Sequence, residues 1–225
     1  FERFGQLIEL HNKQFNLTGA KTQERIRDEL LIRSLRILSP AGGSVPTPEW
    51  FAGKRAIDVG TGAGIPGVVM KIALPELRIT LLDSTAKKTT FLKEVVEELK
   101  LESVEVITNR AEELGQDPEH REAYDLVVAR SVARLPELAE LTLPFAIIGG
   151  TVILPKSSGL EDELDAAAAA AEILGAAPAI TLQVDRPGTS PPDHTVYWMK
   201  ISPTPREFPR RIGVPHRSPL IEQNS

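Results

Sequence analysis

The sequence predicts an α/β protein. A mostly parallel, seven-stranded sheet carries helices on both faces and is preceded by N-terminal helices. Three observations predict it. Short apolar runs alternate with helix-length segments from Arg55 onward. A glycine-rich turn separates the first run from the first helix that follows it. The last two runs look like a closing antiparallel pair, which a parallel sheet permits at its edge.

Residues 1–39 read as helical. Phe4, Leu7, Ile8 and His11 lie at helical spacing, and Leu30, Leu31, Leu35 and Leu38 form a second stripe after a start at Thr22. Residues 40–53, rich in Pro and Gly, read as a linker. Strands are predicted at Ala56–Val59, Arg78–Leu82, Val104–Thr108, Asp125–Ala129 and Thr151–Leu154, with the closing pair at Ala179–Val184 and Thr195–Ile201. Helices are predicted from the glycine turn to about Leu74, over Lys87–Leu101, over Leu135–Leu143 and over Glu161–Leu174, which Gly175 ends. The alanine run 166–171 fits a plain packed helix, because Ala is the strongest helix former. The expected organisation is a helical extension 1–39, a linker 40–53, a ligand-binding core 54–202 and a Pro- and Arg-rich tail 203–225 without regular structure.

Composition bounds the function. The 225 residues, 41% hydrophobic and 25% charged, suffice for one sizeable core and a small appendage. The chain begins at Phe1 rather than Met, so further native sequence is expected ahead of it. No run approaches the ~20 apolar residues of a membrane span, and residues 1–17 are too polar for a signal peptide. The absence of cysteine excludes disulfides and thiolate metal sites and fits a reducing cytoplasm. The four histidines are scattered and form no local metal-ligand motif. A net charge of −5 argues against broad nucleic-acid binding without excluding a local basic patch.

The central signal is Asp58-Val-Gly60-Thr-Gly62-Ala-Gly64-Ile65-Pro-Gly67, between the first strand and its helix, where α/β sheets bind ligands. Gly62, Gly64 and Gly67 also satisfy the dinucleotide fingerprint, so a nicotinamide enzyme competes at this point. Asp58 tips the balance. A carboxylate before the loop repels a pyrophosphate and suits a ligand carrying an ammonium and a sulfonium, as S-adenosylmethionine does. Asp83, at the end of the second strand, is placed to accept hydrogen bonds from ribose hydroxyls, a feature that both ligand classes share. Asn109-Arg110-Ala111-Glu112 follows the third strand, beside the expected adenine pocket; a helix start with a surface charge pair is the other reading.

Basic residues follow the C-terminal ends of several strands. They are Lys87 and Lys88, Arg130 and Arg134, and Lys156 in Pro155-Lys156-Ser157. Loops after parallel strands share one face, so these cations are expected to converge and to favour a phosphate-bearing substrate. Solvated surface charge is the alternative. The segment 203–217, PTPREFPRRIGVPHR, holds four arginines against one glutamate and reads either as a clamp on a nucleic-acid backbone or as a solvated tail.

These pieces resemble a known family. NLTGA (16–20), DVGTGAGIPG (58–67), LLDSTAKKTTFL (81–92), NRAE (109–112), ARSVARL (129–135), LPK (154–156) and FPRRIGVPHRSPL (208–220) together look like the bacterial small-subunit rRNA guanine-N7 methyltransferases, the glucose-inhibited division protein B family. The resemblance implies a class I methyltransferase, Rossmann-like fold. It implies S-adenosyl-L-methionine as cofactor and a guanine in the 530 loop of 16S rRNA as target. The RNA would be naked or in a small-subunit particle. Apart from the resemblance, neither a metal nor a membrane is expected as a partner, and the chain is expected to be a monomer. By position, the resemblance assigns Gly60 and Ile65 to cofactor contacts, Asp83 to the ribose side and Ala111-Glu112 to the adenine side. Arg130 matches a basic residue near cofactor and substrate. Lys87, Arg110 and Lys156 match the other basic cleft residues. From the loop's own pattern, Asp58 and Gly62 join the cofactor set. One departure is Arg33 and Arg36, which stand where relatives often carry a His and an Asp. Two other classes stay open, a NAD-dependent oxidoreductase and a non-catalytic RNA-binding protein with a methyltransferase-like fold. Asp58 argues against the first, and the intact Asp58, Gly60 and Gly62 against the second.

Overall fold

Residues 1–38, 51–156, 160–184 and 193–220 are described by the structure, a computed structural model of the chain. Most of the expected linker, Ser157 and tail residues 221–225 lie outside them. The chain divides into two units, Phe1–Asn109 and Arg110–Ser225.

In the first unit, Phe4, Leu7 and Ile8 give helix α1 (Glu2–Asn12) its buried face. Asn12 then organises the NLTGA turn. Its Oδ1 accepts from the Leu17 and Thr18 amides, and its Nδ2 donates to Ala20 O at 2.7 Å. The Thr22 hydroxyl caps the next helical stretch by accepting from Arg25 N, as the sequence suggests. That stretch begins as α2 (Gln23–Arg25), takes π geometry over Ile26–Ile32, continues as α3 (Arg33–Leu35) and tightens to a 3₁₀ turn at Arg36–Leu38. The π turn changes the buried stripe. Its i→i+5 bonds advance the helix phase, so Ile26, Leu31, Ser34 and Ile37 are buried. Leu30, Leu35 and Leu38 of the expected stripe are only half-buried.

The rest of this unit is β1 (Arg55–Val59), α4 (Gly67–Ala73), β2 (Arg78–Asp83), α5 (Ala86–Glu98) and β3 (Val104–Thr108). The strands are parallel in the order β3-β2-β1, with Asp58 beside Leu81 and Asp83 beside Thr108. The apolar run of β1 is buried throughout 56–59, as a strand covered on both faces requires. Helix α1 rests on α5, where His11 meets the Phe91 ring at 4.8 Å and Glu94 at 3.1 Å.

The second unit holds α6 (Ala111–Leu114), β4 (Tyr124–Val128), α7 (Leu135–Thr142), β5 (Ala146–Lys156), α8 (Leu160–Ile173), β6 (Ile180–Val184), β7 (Asp193–Met199) and α9 (Val214–Arg217). Its strands run β4-β5-β7-β6, the first pair parallel and the others antiparallel. The closing antiparallel pair is therefore present. Strand β5 is longer than expected, because Ala146–Gly150 also extends, through a register shift against β4. Helix α8 buries Ala167, Ala170 and Ala171 on one face, which accounts for part of the alanine run.

Apart from α9 the described tail has no regular structure, yet side chains of this unit hold it in place. Thr204–Ser218 is strapped to this unit by charged side chains. Arg121 donates to the carbonyls of Thr204, Pro205 and Phe208 at 2.6–3.0 Å. Gln116 donates to those of Arg206 and Pro209. Buried Glu140 accepts from the Arg210 amide and, in a fork, from its guanidinium at 2.6–3.1 Å. Lys200, fully buried, donates to Glu122, to Leu143 O and to the Thr204 hydroxyl. Burial lowers its amine pKa, and the Glu122 carboxylate works against that shift. Arg210 is thus a structural cation rather than part of a nucleic-acid clamp. Exposed Arg206, Arg211 and Arg217 remain for that task. Glu140→Ala leaves Arg210 without its acid, and a broken, largely buried pair costs about 3 kcal/mol. A drop of that size in urea-unfolding stability, with faster tryptic cleavage after Arg211, is the expected outcome.

Candidate functional site

The glycine loop connects β1 to α4. Among its residues 60–66, Gly60 and Gly62 alone are half-exposed, and the rest are buried. Asp58 shapes it from below. This carboxylate has no exposed surface, and its Oδ2 accepts from the Thr61 hydroxyl and from the Gly67 amide, both at 2.7 Å. Gly67 opens α4, so the chain's own anion sits on the positive end of that helix. A dinucleotide-binding turn reserves this place for pyrophosphate. Here a second anion would meet Asp58, so the geometry favours a ligand that brings no phosphate to the turn.

The glycines divide by task. Gly60 and Gly62 have φ of 70° and 59°, the left-handed region. A Cβ on Gly62 would find nothing nearer than Gly60 O at 3.9 Å, so its backbone faces open space that a ligand can enter. Gly64 and Gly67 are packing glycines. Their Cβ atoms would stand 2.5 Å from Val68 Cγ2 and from Leu81 Cδ2, respectively. The fingerprint spacing 62-64-67 thus arises from a conformational need at Gly62, a conformational and a packing need at Gly64, whose φ is 84°, and a packing need at Gly67. Ile65 is buried in the loop's underside, 7% exposed.

Asp83 ties the loop to the turn after β2. Its Oδ2 accepts from the Gly62 amide at 3.0 Å and pairs with Lys88 at 3.3 Å, and its Oδ1 accepts from the Thr85 amide at 2.9 Å. A carboxylate offers about four acceptor positions, so capacity for a ligand hydroxyl remains. The structure therefore brings Asp58, Gly60, Gly62, Ile65 and Asp83 together. Of the two lysines at this turn, Lys88 joins them, and Lys87 is exposed.

In the second unit, Arg110 stands at the N-cap of α6 and pairs with Glu112 at 3.2 Å. Glu112 also accepts the Gly213 amide at 2.9 Å. Burial alone would raise its pKa, but these donors outweigh it and hold the carboxyl below its ordinary value. Ala111 between them is half-buried. Arg130 is half-buried just past β4, next to Ser131, whose φ is 57°. Lys156 pairs with Glu163 at 2.7 Å and reaches Ala133 O at 3.4 Å. Glu163 also accepts the Leu135 amide at 2.9 Å and lies 3.9 Å from Arg134. One carboxylate of α8 thus gathers Arg134 from after β4 and Lys156 from the end of β5. Sequence reasoning missed Glu163 and Gly213. Gly213 acts on a residue 101 positions away, and Glu163 joins Lys156, close to it in sequence, to Leu135, 28 positions away.

A family model described as "GidB: rRNA small subunit methyltransferase G" matches residues 1–188. The chain belongs to the GidB family. Curated relatives named ribosomal RNA small subunit methyltransferase G agree. That of Deinococcus radiodurans is 42% identical over 98% of this chain and 85% of its own length. That of Dehalococcoides mccartyi is 38% identical over 98% and 91%. Among solved structures, a predicted O-methyltransferase from Agrobacterium tumefaciens is similar with TM-score 0.57 at 18% identity, covering 75% of this chain and 81% of that one. A MtNAS mutant in complex with S-adenosylmethionine is similar with TM-score 0.56 at 16% identity, covering 89% and 76%. At these identities the likeness is one of fold, the seven-stranded, mostly parallel α/β architecture.

In this GidB-family chain the loop's shape depends on close packing at Gly67. In Gly67→Ala the new methyl meets Leu81 Cδ2 at 2.5 Å and Asp58 Oδ2 at 2.7 Å. Overpacking of this kind costs about 2 kcal/mol. The urea midpoint should fall accordingly with an unchanged m-value. A wild-type midpoint would show that Asp58 does not pin the loop.

Proposed function

We propose that this chain transfers the methyl group of S-adenosylmethionine to N7 of a guanine in the 530 loop of 16S rRNA. The observation that carries the reading is membership of the GidB family, whose model matches residues 1–188, combined with a glycine loop whose helix end is already filled by Asp58. That filled end weighs against the nicotinamide alternative. The reading includes action in the cytoplasm, as a monomer, on RNA that is naked or in a small-subunit particle. No helix among the described residues is long and apolar enough to cross a membrane.

The residues present fit the cofactor. Gly60 and Gly62 offer exposed backbone, Ile65 packs beneath the turn, and Asp58 contributes fixed negative charge below a cationic ligand. Asp83 keeps acceptor capacity for ribose hydroxyls, and the family resemblance assigns Ala111 and Glu112 to the adenine side. The cofactor supplies a methyl group made electrophilic by its sulfonium.

Guanine N7 has a lone pair and no proton to lose, so the chain needs no general base. Its work is alignment, which can contribute ~7–11 kcal/mol. Arg130, Arg110, Lys156 and Lys87 hold the target nucleotide and its neighbouring phosphates. Methylation places positive charge on the base, so these cations act on phosphate or on the O6 edge rather than directly against N7. The target must be presented unstacked, as single-stranded or flipped-out bases are.

The direct test is mass spectrometry of 16S rRNA fragments after incubation with protein and labelled cofactor, using naked RNA and subunit particles in parallel. A methyl group anywhere but a 530-loop guanine overturns the reading. Gly60→Val should weaken cofactor binding at least about tenfold, equal to ~1.4 kcal/mol, by calorimetry. Arg130→Ala should slow single-turnover transfer at saturating RNA. Arg206→Ala, on the exposed strap, should weaken RNA binding while leaving that saturated rate near wild type. A wild-type rate for Arg130→Ala would reduce Arg130 to a docking residue.

A further inference from the structure

The strap is anchored in three places. At Thr204 the amide donates to Glu122 at 2.7 Å, and the hydroxyl donates to Leu174 O at 3.0 Å. In the middle, Arg121, Gln116 and the Glu140–Arg210 fork hold its carbonyls and its guanidinium. At Gly213 the amide donates to Glu112. The first two anchors join the strap to scaffold. The third joins it to a residue of the adenine-side segment.

That third contact has the features of a positioning device. Glu112 is 5% exposed, so its carboxylate needs the donors it has. One donor is Arg110, itself in the same segment. The other comes from a residue 101 positions later in the chain. Gly213 adopts φ of 73°, a left-handed conformation that L side chains rarely take, and this conformation aims its N–H at Glu112. A short turn (α9, Val214–Arg217) starts directly behind it, so Gly213 cannot swing without moving that turn.

We propose that Gly213 is a positioning residue for the cofactor. Its amide fixes Glu112, and through Glu112 the orientation of residues 110–112, so docking of the strap and binding of the cofactor stabilise each other. The inference rests on the proposed placement of Ala111 and Glu112 beside adenine. Coupling between two sites is reciprocal. A cofactor that binds the ordered segment must therefore hold the Gly213 hydrogen bond closed, and loss of that bond must weaken the cofactor.

The test uses the whole chain. Amide hydrogen exchange is measured with and without saturating S-adenosylmethionine. Exchange at Gly213 should slow about fivefold or more, the usual lower end of such couplings, while the Thr204 amide at the scaffold end stays within about twofold. Gly213→Ala, strained at positive φ, should weaken cofactor binding about fivefold with saturated turnover near wild type. Gly213→Asn, which tolerates the left-handed region better, should restore most of the affinity. A strap that is merely structural predicts equal protection at both amides and no rescue by Asn. Should Gly213→Ala fail to fold, the exchange experiment on the native chain still decides. Unchanged Gly213 exchange in a chain that binds the cofactor overturns the coupling alone, as does wild-type affinity in folded Gly213→Ala. A native chain that does not bind S-adenosylmethionine overturns the functional reading, and the coupling with it.

Discussion

The buried carboxylate of Asp58 decides what the glycine loop can accept. It lies beneath the turn and takes the amide of Gly67 and the hydroxyl of Thr61 at once. Hydrogen bonds to a charged group contribute about 1.5–3 kcal/mol each, enough to dictate the loop's path. With the helix end closed by this anion, backbone exposure is confined to Gly60 and Gly62. Asp83 reaches the Gly62 amide from the neighbouring strand and couples the two βα turns of that unit. The loop is thus a rigid, negatively backed platform, unlike an open nest of amides awaiting phosphate.

Internal acids also reconcile an overall net charge of −5 with an RNA substrate. Asp58, Asp83, Glu112 and Glu140 are all buried and committed to amides, hydroxyls or paired cations. They count in the net charge, yet they project little field into solvent. Arg206, Arg211 and Arg217 are exposed on the strap. Nucleic acid responds to the local potential, so the formal sum understates the basic character of such a surface.

The βα alternation was legible because it is written in local period, so β1, β2, β3, α8 and the closing pair fall within a few residues of their predicted spans. The glycine loop was legible as the turn between β1 and α4, and Asp58 as a residue that acts on it, although that action runs through Gly67. Three features were not legible. The π turn at Ile26–Ile32 changes the helix phase through tertiary packing, which an α-period stripe cannot encode. The strap reads as either a clamp or a solvated tail because its anchors Arg121 and Glu140 lie 70 or more positions away. Glu163 reads as one acid among several on a surface helix until β4 and β5 bring Lys156 and Arg134 to it.

A reaction at guanine N7 asks for alignment without proton transfer, and this shifts the meaning of the basic residues. Lys156 and Arg134 share Glu163 but are not equivalent. Lys156 is largely buried and held at 2.7 Å, whereas Arg134 lies 3.9 Å away with 72% of its side chain exposed. A phosphate approaching this edge meets the loosely held guanidinium first, and it must compete with Glu163 for the lysine. Arg134 is therefore suited to capture, where mobility costs little. Lys156, held by Glu163 and by Ala133 O, is the more rigidly placed of the two. The carboxylate of Glu163 thus orders this edge of the second unit.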